Sequence, residues 1–197
     1  FVVFVILSGA TFFLCFAVGR EKLCDVIKNE GLRLYLLILF FASLLIGADL
    51  YFTSYGTSGK SYRDALFQVS SIITTTGYTT ANFDQWPTFS KSILFLLMFI
   101  GGSAGSTGGG IKVIRILFLF KLIRREILKI FHPRAIIPIK VQNKVLTGGV
   151  SSSISSFFAL YLLLFVIGTI LISLDNISLD SAASAVAATL GNVGPGF

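Results

Sequence analysis

Three predominantly apolar stretches of this sequence carry no charge over 15 to 24 residues, and no other feature constrains its fold as strongly. Residues 1–18, 34–48 and 151–174 hold Leu, Ile, Val, Phe and Ala with no Asp, Glu, Lys or Arg. A helix needs about 20 apolar residues to cross roughly 30 Å of hydrocarbon, and each stretch reaches or approaches that length. Only 13% of the 197 residues are charged, about half the share usual in a soluble domain. Water is therefore excluded as the main neighbour, and the sequence predicts an integral membrane protein. The first run lacks the basic flank and the small-residue cleavage site of a signal peptide. The chain opens at Phe1 inside that run and closes at Phe197 in a Gly/Pro-rich loop, so an internal fragment of a longer protein is expected.

The net charge of +7 does not point to nucleic acid, because its distribution is wrong for a basic soluble domain. Arg20, Lys22, Lys28 and Arg33 lie in the first connection, and nine further Lys or Arg fall between Lys112 and Lys144. Those connections hold thirteen basic and four acidic residues, whereas the others hold three basic and five acidic. The asymmetry predicts cytoplasmic basic loops and outward acidic ones. Cys15 and Cys24 match no zinc or disulfide spacing and read as reduced thiols.

Two apolar segments are too short to span. Residues 61–74 (SYRDALFQVSSIIT) and 180–190 (DSAASAVAATL) each follow a candidate cap, Ser61 or Asp64 in one and Ser178 or Asp180 in the other. Each runs into a Thr- or Gly-rich loop, TTTGYTT at 74–80 and GNVGPGF at 191–197. Short apolar segments of this kind are typical of re-entrant pieces. They also recur: Asp64 and Asp180 stand 116 positions apart, and Gly77 and Gly194 stand 117 apart. Order and spacing carry this repeat, since side-chain identity between the copies is poor.

Between the copies, residues 92–100 form an apolar half-helix and residues 111–120 another, separated by GGSAGSTGGG at 101–110. Each Gly costs a helix roughly 1 kcal/mol relative to Ala, so this span is expected to be unwound in its middle. Irregular backbone at membrane depth survives only where protein buries it or where it lines a cavity. The alternatives are close helix packing through Gly101 and Gly105, which leaves the run Gly108, Gly109 and Gly110 unexplained, and a phosphate loop, whose Gly-Lys-Ser/Thr ending is missing. Lys112 and Arg115 read equally as gate residues or as snorkelling anchors at the inner interface. Trp86 reads as an outer interfacial anchor, Asp64 as a helix cap and His132 as an exposed surface residue.

Carrying a cation through lipid means replacing its water with oxygens, and extended backbone carbonyls do so where Gly permits positive φ. Thr75, Thr76, Gly77 and Tyr78 align with the Thr-Val-Gly-Tyr order of potassium channels, and Asn192, Val193, Gly194 and Pro195 take the same places in the second loop. The short helices would aim their partly negative C-termini at the ion. The fold class predicted is an all-α integral membrane protein built from repeated helix, pore helix, filter loop and helix units, with one broken pore-lining helix.

On SSIITTTGYTTANFDQWP at 70–87, GGSAGSTGGGIKVIRI at 101–116, HPRAIIPIK at 132–140 and ATLGNVGPGF at 188–197, the chain resembles the Trk/Ktr/HKT superfamily of potassium uptake proteins. The likeness is strongest to the bacterial TrkH/TrkG type of membrane subunit. It implies four repeats around one pore, of which this chain holds the end of one (1–32), a complete one (33–144) and the start of another (145–197). It further implies potassium uptake at the bacterial inner membrane, with Gly77 and Gly194 as filter glycines. Gly101, Gly102, Gly105, Gly108, Gly109 and Gly110, with Lys112 and Arg115, would form an intramembrane gate. A homodimer and a cytoplasmic nucleotide-binding ring of the TrkA/KtrA kind are the implied partners; the ion is potassium, and no covalent cofactor is expected. The other classes weighed are a gradient-coupled secondary transporter with a broken-helix site and a membrane-embedded enzyme or receptor, for which no His/Asp/Glu cluster at depth exists.

Overall fold

The computed structural model describes residues 2–10, 29–55, 57–132, 138, 140–141, 144–145 and 148–197. Cys15, Cys24, Arg20, Lys22, Lys28 and Arg134, about which expectations were stated, lie outside the described residues.

The elements follow the apolar pattern closely. Helix α1 (Val2–Gly9) precedes α2 (Glu30–Leu50), which starts where the Asn29 side chain accepts the N–H groups of Gly31 and Leu32. Its 21 residues extend about 31 Å at 1.5 Å per residue, enough to cross a bilayer core. A π-turn at Tyr51–Tyr55 leads to α3 (Ser58–Ile73). After a single 3-10 turn comes α4 (Thr88–Phe99). The second long apolar helix is α6 (Gly148–Ser173), and the last is α7 (Leu179–Leu190).

A stripe of α2, Tyr35, Leu39, Ala42, Ile46 and Leu50, is buried against Ala65, Val69 and Ile72 of α3 and Leu94, Leu97 and Met98 of α4. The spacing of three and four is that of one helical face. In lipid such contacts stabilise through close packing rather than escape from water. Gly47 shows this, since a Cβ there would fall 2.3 Å from the Tyr62 ring. Helix α6 is different: Leu160, Leu162, Leu163, Val166, Ile170 and Leu171 are all exposed. Gly168 lets it approach Val186 of α7.

The chain between α4 and α5 (Val113–Phe131) is not helical. Two-residue strands β1 (Ile100–Gly101) and β2 (Ile111–Lys112) pair in parallel, Ile100 with Ile111 and Gly101 with Lys112. The all-helical expectation did not include this ladder. It forms because glycines cannot hold the helix and the freed backbone groups must still be paired inside the protein. A second ladder, β3 (Lys140–Val141) with β4 (Lys144–Val145), is antiparallel.

Two local expectations are corrected and one alternative is resolved. Helix α3 begins at Ser58, three residues before the expected cap, so Ser61 and Asp64 lie inside it. Ser61 bonds back to the Thr57 carbonyl at 2.9 Å, and Asp64 is buried beside Arg63 Nε at 3.2 Å. Trp86 is 4% exposed and packed in the main core. It is no interfacial anchor, because the 3-10 turn at Phe83–Gln85 folds the chain back over the helices. Of the alternatives at the other short helix, Ser178 is the cap and accepts the Ser181 N–H.

Candidate functional site

Helices α3 and α7 end in the same way. The N–H groups of Thr74, Thr75 and Thr76 donate to the carbonyls of Ser70, Ile72 and Ser71 at 3.1, 3.0 and 3.0 Å. Those of Gly191, Asn192 and Val193 donate to Ala187, Thr189 and Ala188 at 2.8, 3.1 and 2.8 Å. Both sets are the paired closing bonds of a Schellman motif, which requires a left-handed residue just past the helix. Thr75 (φ 56°) and Asn192 (φ 55°) supply it. Two residues on, Gly77 (φ 73°) and Gly194 (φ 107°) are positive again. Positive φ therefore recurs at every second residue along both loops, which an extended strand does not give.

The loops stand against each other. A Cβ on Gly77 would lie 2.6 Å from the Val193 carbonyl oxygen, and one on Gly194 would lie 3.7 Å from Gly77 Cα. Backbone thus faces backbone, with the Pro195 ring beside the contact, 3.4 Å from a Cβ placed on Gly77. The Ser71 hydroxyl donates to the Tyr78 carbonyl at 2.6 Å, and Thr74 and Thr76 hydroxyls meet at 3.1 Å. In the second loop Ser184 takes the Phe197 N–H at 2.8 Å and lies 3.1 Å from the Phe197 carbonyl. Phe197 in turn packs edge-on against Phe83, 5.2 Å between centroids, joining the second loop to the turn that follows the first.

Directly at the base of both loops lies the Gly-rich segment. Gly109 N–H donates to Thr75 Oγ1 at 2.8 Å. A Cβ on Gly108 would meet the Thr74 carbonyl at 3.1 Å, and one on Gly109 the Gly191 carbonyl at 2.5 Å. Gly105 (φ 78°) and Gly110 (φ 63°) make its turns, and Gly101 and Gly102 lie buried in its neck. The segment also leans on α1, where Ser103 N–H donates to the Gly9 carbonyl at 2.8 Å.

Lys112 turns inward rather than outward. Its ammonium donates to the Ser106 carbonyl at 3.0 Å, lies 3.3 Å from the Ser106 hydroxyl, and also bonds the Gly108 carbonyl. The loop's oxygens thus hold a tethered cation. Arg115 is not brought to this cluster: its guanidinium carbon sits 4.1 Å from the Phe157 ring centroid, pinning α5 to α6. Farther along α5, Lys121 pairs with Glu30 and donates to the Lys140 carbonyl at 2.8 Å. Glu126, outside the apolar spans, is held below the usual carboxylate range chiefly by the hydrogen bond from Arg125. His132 follows the end of α5 and is exposed.

Sequence reasoning missed Ser71, Ser184 and Gly9. No motif announces a serine seven residues before the carbonyl it holds, or a helix end that supports a loop ninety positions away. It also missed Gln68, whose side-chain amide is buried in α3 without a hydrogen-bond partner among the described residues. No group of three His, Cys, Asp or Glu that could hold a metal exists among the described residues.

A family model described as TrkH, cation transport protein, matches residues 30–197. The Trk system potassium uptake protein TrkH of Vibrio parahaemolyticus is 42% identical over 205 residues, covering 100% of this chain and 41% of that protein. The protein of the same name from Escherichia coli K12 is 36% identical over 197 residues, covering 99% and 41%. The crystal structure of the potassium transporter TrkH from Vibrio parahaemolyticus superposes with a TM-score of 0.90 at 40% identity, over 99% of this chain and 42% of that one. The chain therefore spans about two fifths of the length of these relatives.

Proposed function

The chain belongs to the TrkH family of cation transport proteins, and from that premise we propose that it forms part of a potassium uptake path across the bacterial inner membrane. Residues 33–144 are read as one complete pore repeat, and 1–32 and 145–197 as parts of its neighbours. Helices α3 and α7 are the pore helices, and the backbone carbonyls of Thr75, Thr76, Gly77, Tyr78, Asn192, Val193 and Gly194 replace the ion's hydration shell. The observation that carries this reading is the shared backbone geometry of the two loops, with left-handed residues at 75 and 77 and again at 192 and 194.

Below the filter, residues 101–110 act as the gate, laced by Lys112, and Arg115 anchors the helix that follows. The ammonium of Lys112 occupies oxygens that would otherwise be open to a passing cation, so the loop obstructs the path in this position both by bulk and by charge. The basic connections lie on the cytoplasmic side, where a nucleotide-binding ring of the TrkA/KtrA kind sets the position of the gate on a homodimer.

The test uses the full-length protein. Gly77→Asp, which adds a carboxylate where only hydrogen fits, is expected to abolish potassium uptake while membrane insertion persists. Deleting residues 101–110 is expected to raise flux. Uptake surviving the first change, or flux unchanged or lowered by the second, overturns the filter or the gate respectively.

A further inference from the structure

Thr75 occupies a position for which it is poorly suited. The left-handed residue of a Schellman motif is normally Gly or Asn, and Asn192 fills that place in the second loop. A β-branched residue there is a conformational outlier, and backbone geometry alone gives no reason for it. Its hydroxyl supplies one. Thr75 Oγ1 accepts the backbone N–H of Gly109 at 2.8 Å, across 34 residues of sequence. The opposite face of Gly109 is pressed against the second loop, where a Cβ would come within 2.7 Å of Asn192 Cβ. Gly109 is thus clamped between the bases of both loops, and a hydrogen bond to Thr75 attaches it there.

From this arrangement we infer that the Thr75 hydroxyl is a positioning residue that couples the filter to the gate. It holds the Gly-rich loop beneath the ion path, and the loop cannot move away without releasing it. Withdrawal of the loop therefore costs this hydrogen bond, and the hydroxyl biases the gate toward the position beneath the filter. The inference rests on the reading of residues 101–110 as the gate.

The experiment measures potassium flux into proteoliposomes carrying the full-length protein, normalised to inserted protein. Thr75→Val keeps the shape and removes the acceptor; Thr75→Ser keeps the acceptor. Loss of one hydrogen bond is expected to raise flux about fivefold in Thr75→Val over Thr75→Ser, the conservative variant that keeps it. In protein lacking residues 101–110, Thr75→Val is expected to add nothing, because its partner is gone. Thr75→Ala, which also lacks the acceptor, gives the same readout if the valine variant fails to insert. The coupling is overturned if the variants lacking the acceptor match the parent or conduct less, if Thr75→Ser conducts as they do, or if the effect persists without the loop. Deletion of 101–110 separates the two readings. Flux unchanged by deletion removes the gate itself, whereas flux raised by deletion but not by Thr75→Val removes only the coupling.

Discussion

The loop at 74–80 and the loop at 191–197 have the same backbone and different fastenings. Their closing hydrogen bonds and positive dihedrals coincide position for position at an offset of 117. Their side chains do not coincide. The first loop is fixed by Ser71 to the Tyr78 carbonyl and by Thr75 to the Gly-rich segment, the second by Ser184 to the backbone of Phe197. The contrast teaches that the shared shape of the two loops is encoded in helix ends and in the residues of positive φ. What each loop is tied to is encoded separately. One loop is fastened to the Gly-rich segment, and the other is fastened back to its own helix.

The largest expected effect breaks the shared part of that comparison. Gly77→Ala and Gly194→Ala both place a side chain on left-handed backbone, but only at Gly77 does the new Cβ strike a carbonyl, that of Val193. Potassium uptake should fall about a hundredfold or more for Gly77→Ala and less for Gly194→Ala, since a backbone atom cannot yield without moving the other loop. The reverse order in a flux assay would mean that dihedral strain, and not the contact between loops, sets the filter.

A second pair probes the seats of the Gly-rich segment. Gly109→Ala would drive a methyl to 2.5 Å from the Gly191 carbonyl, whereas Gly108→Ala meets the Thr74 carbonyl at 3.1 Å, a misfit of a few tenths of an ångström. Flux through Gly109→Ala should rise several-fold, about as for a displaced gate, with a smaller rise for Gly108→Ala. Equal effects would erase the distinction between the two seats. The smallest changes concern the fastenings. Ser71→Ala and Ser184→Ala each remove a hydroxyl worth about 1 kcal/mol net. Each should lower the thermal midpoint of the purified protein by a few degrees. Only Ser71→Ala should also weaken discrimination of potassium against sodium, because it alone frees a filter carbonyl.

Legibility followed locality. The extents of α2, α6 and α7 and the interruption at 101–110 can be read from runs and caps, because each depends on residues within a few turns; the correspondence of Gly77 with Gly194 is read from the repeat spacing. The inner faces of the same elements are less legible. Asp64 looks like a cap and lies buried in mid-helix. Trp86 looks like an interface residue and lies in the core. Lys112, near the end of an apolar run, could be read as reaching for water or for the gate, and in the structure it reaches for Ser106 and Gly108. A charged or amphipathic side chain goes wherever oxygens are within its length, and the sequence does not say which oxygens those are.

By itself, then, the amino-acid order determined that this chain enters a membrane, where its helices stop, and that Gly77 and Gly194 turn left-handed. Those outcomes follow from solvation and from steric limits that act within one or two helical turns. Only the tertiary structure decided that Val193 faces Gly77, that Gly109 lies between the two loops, and that Thr75 is the residue that holds it. Such contacts join segments dozens of residues apart, and their partners are set by how helices pack, for which no local pattern stands as a proxy.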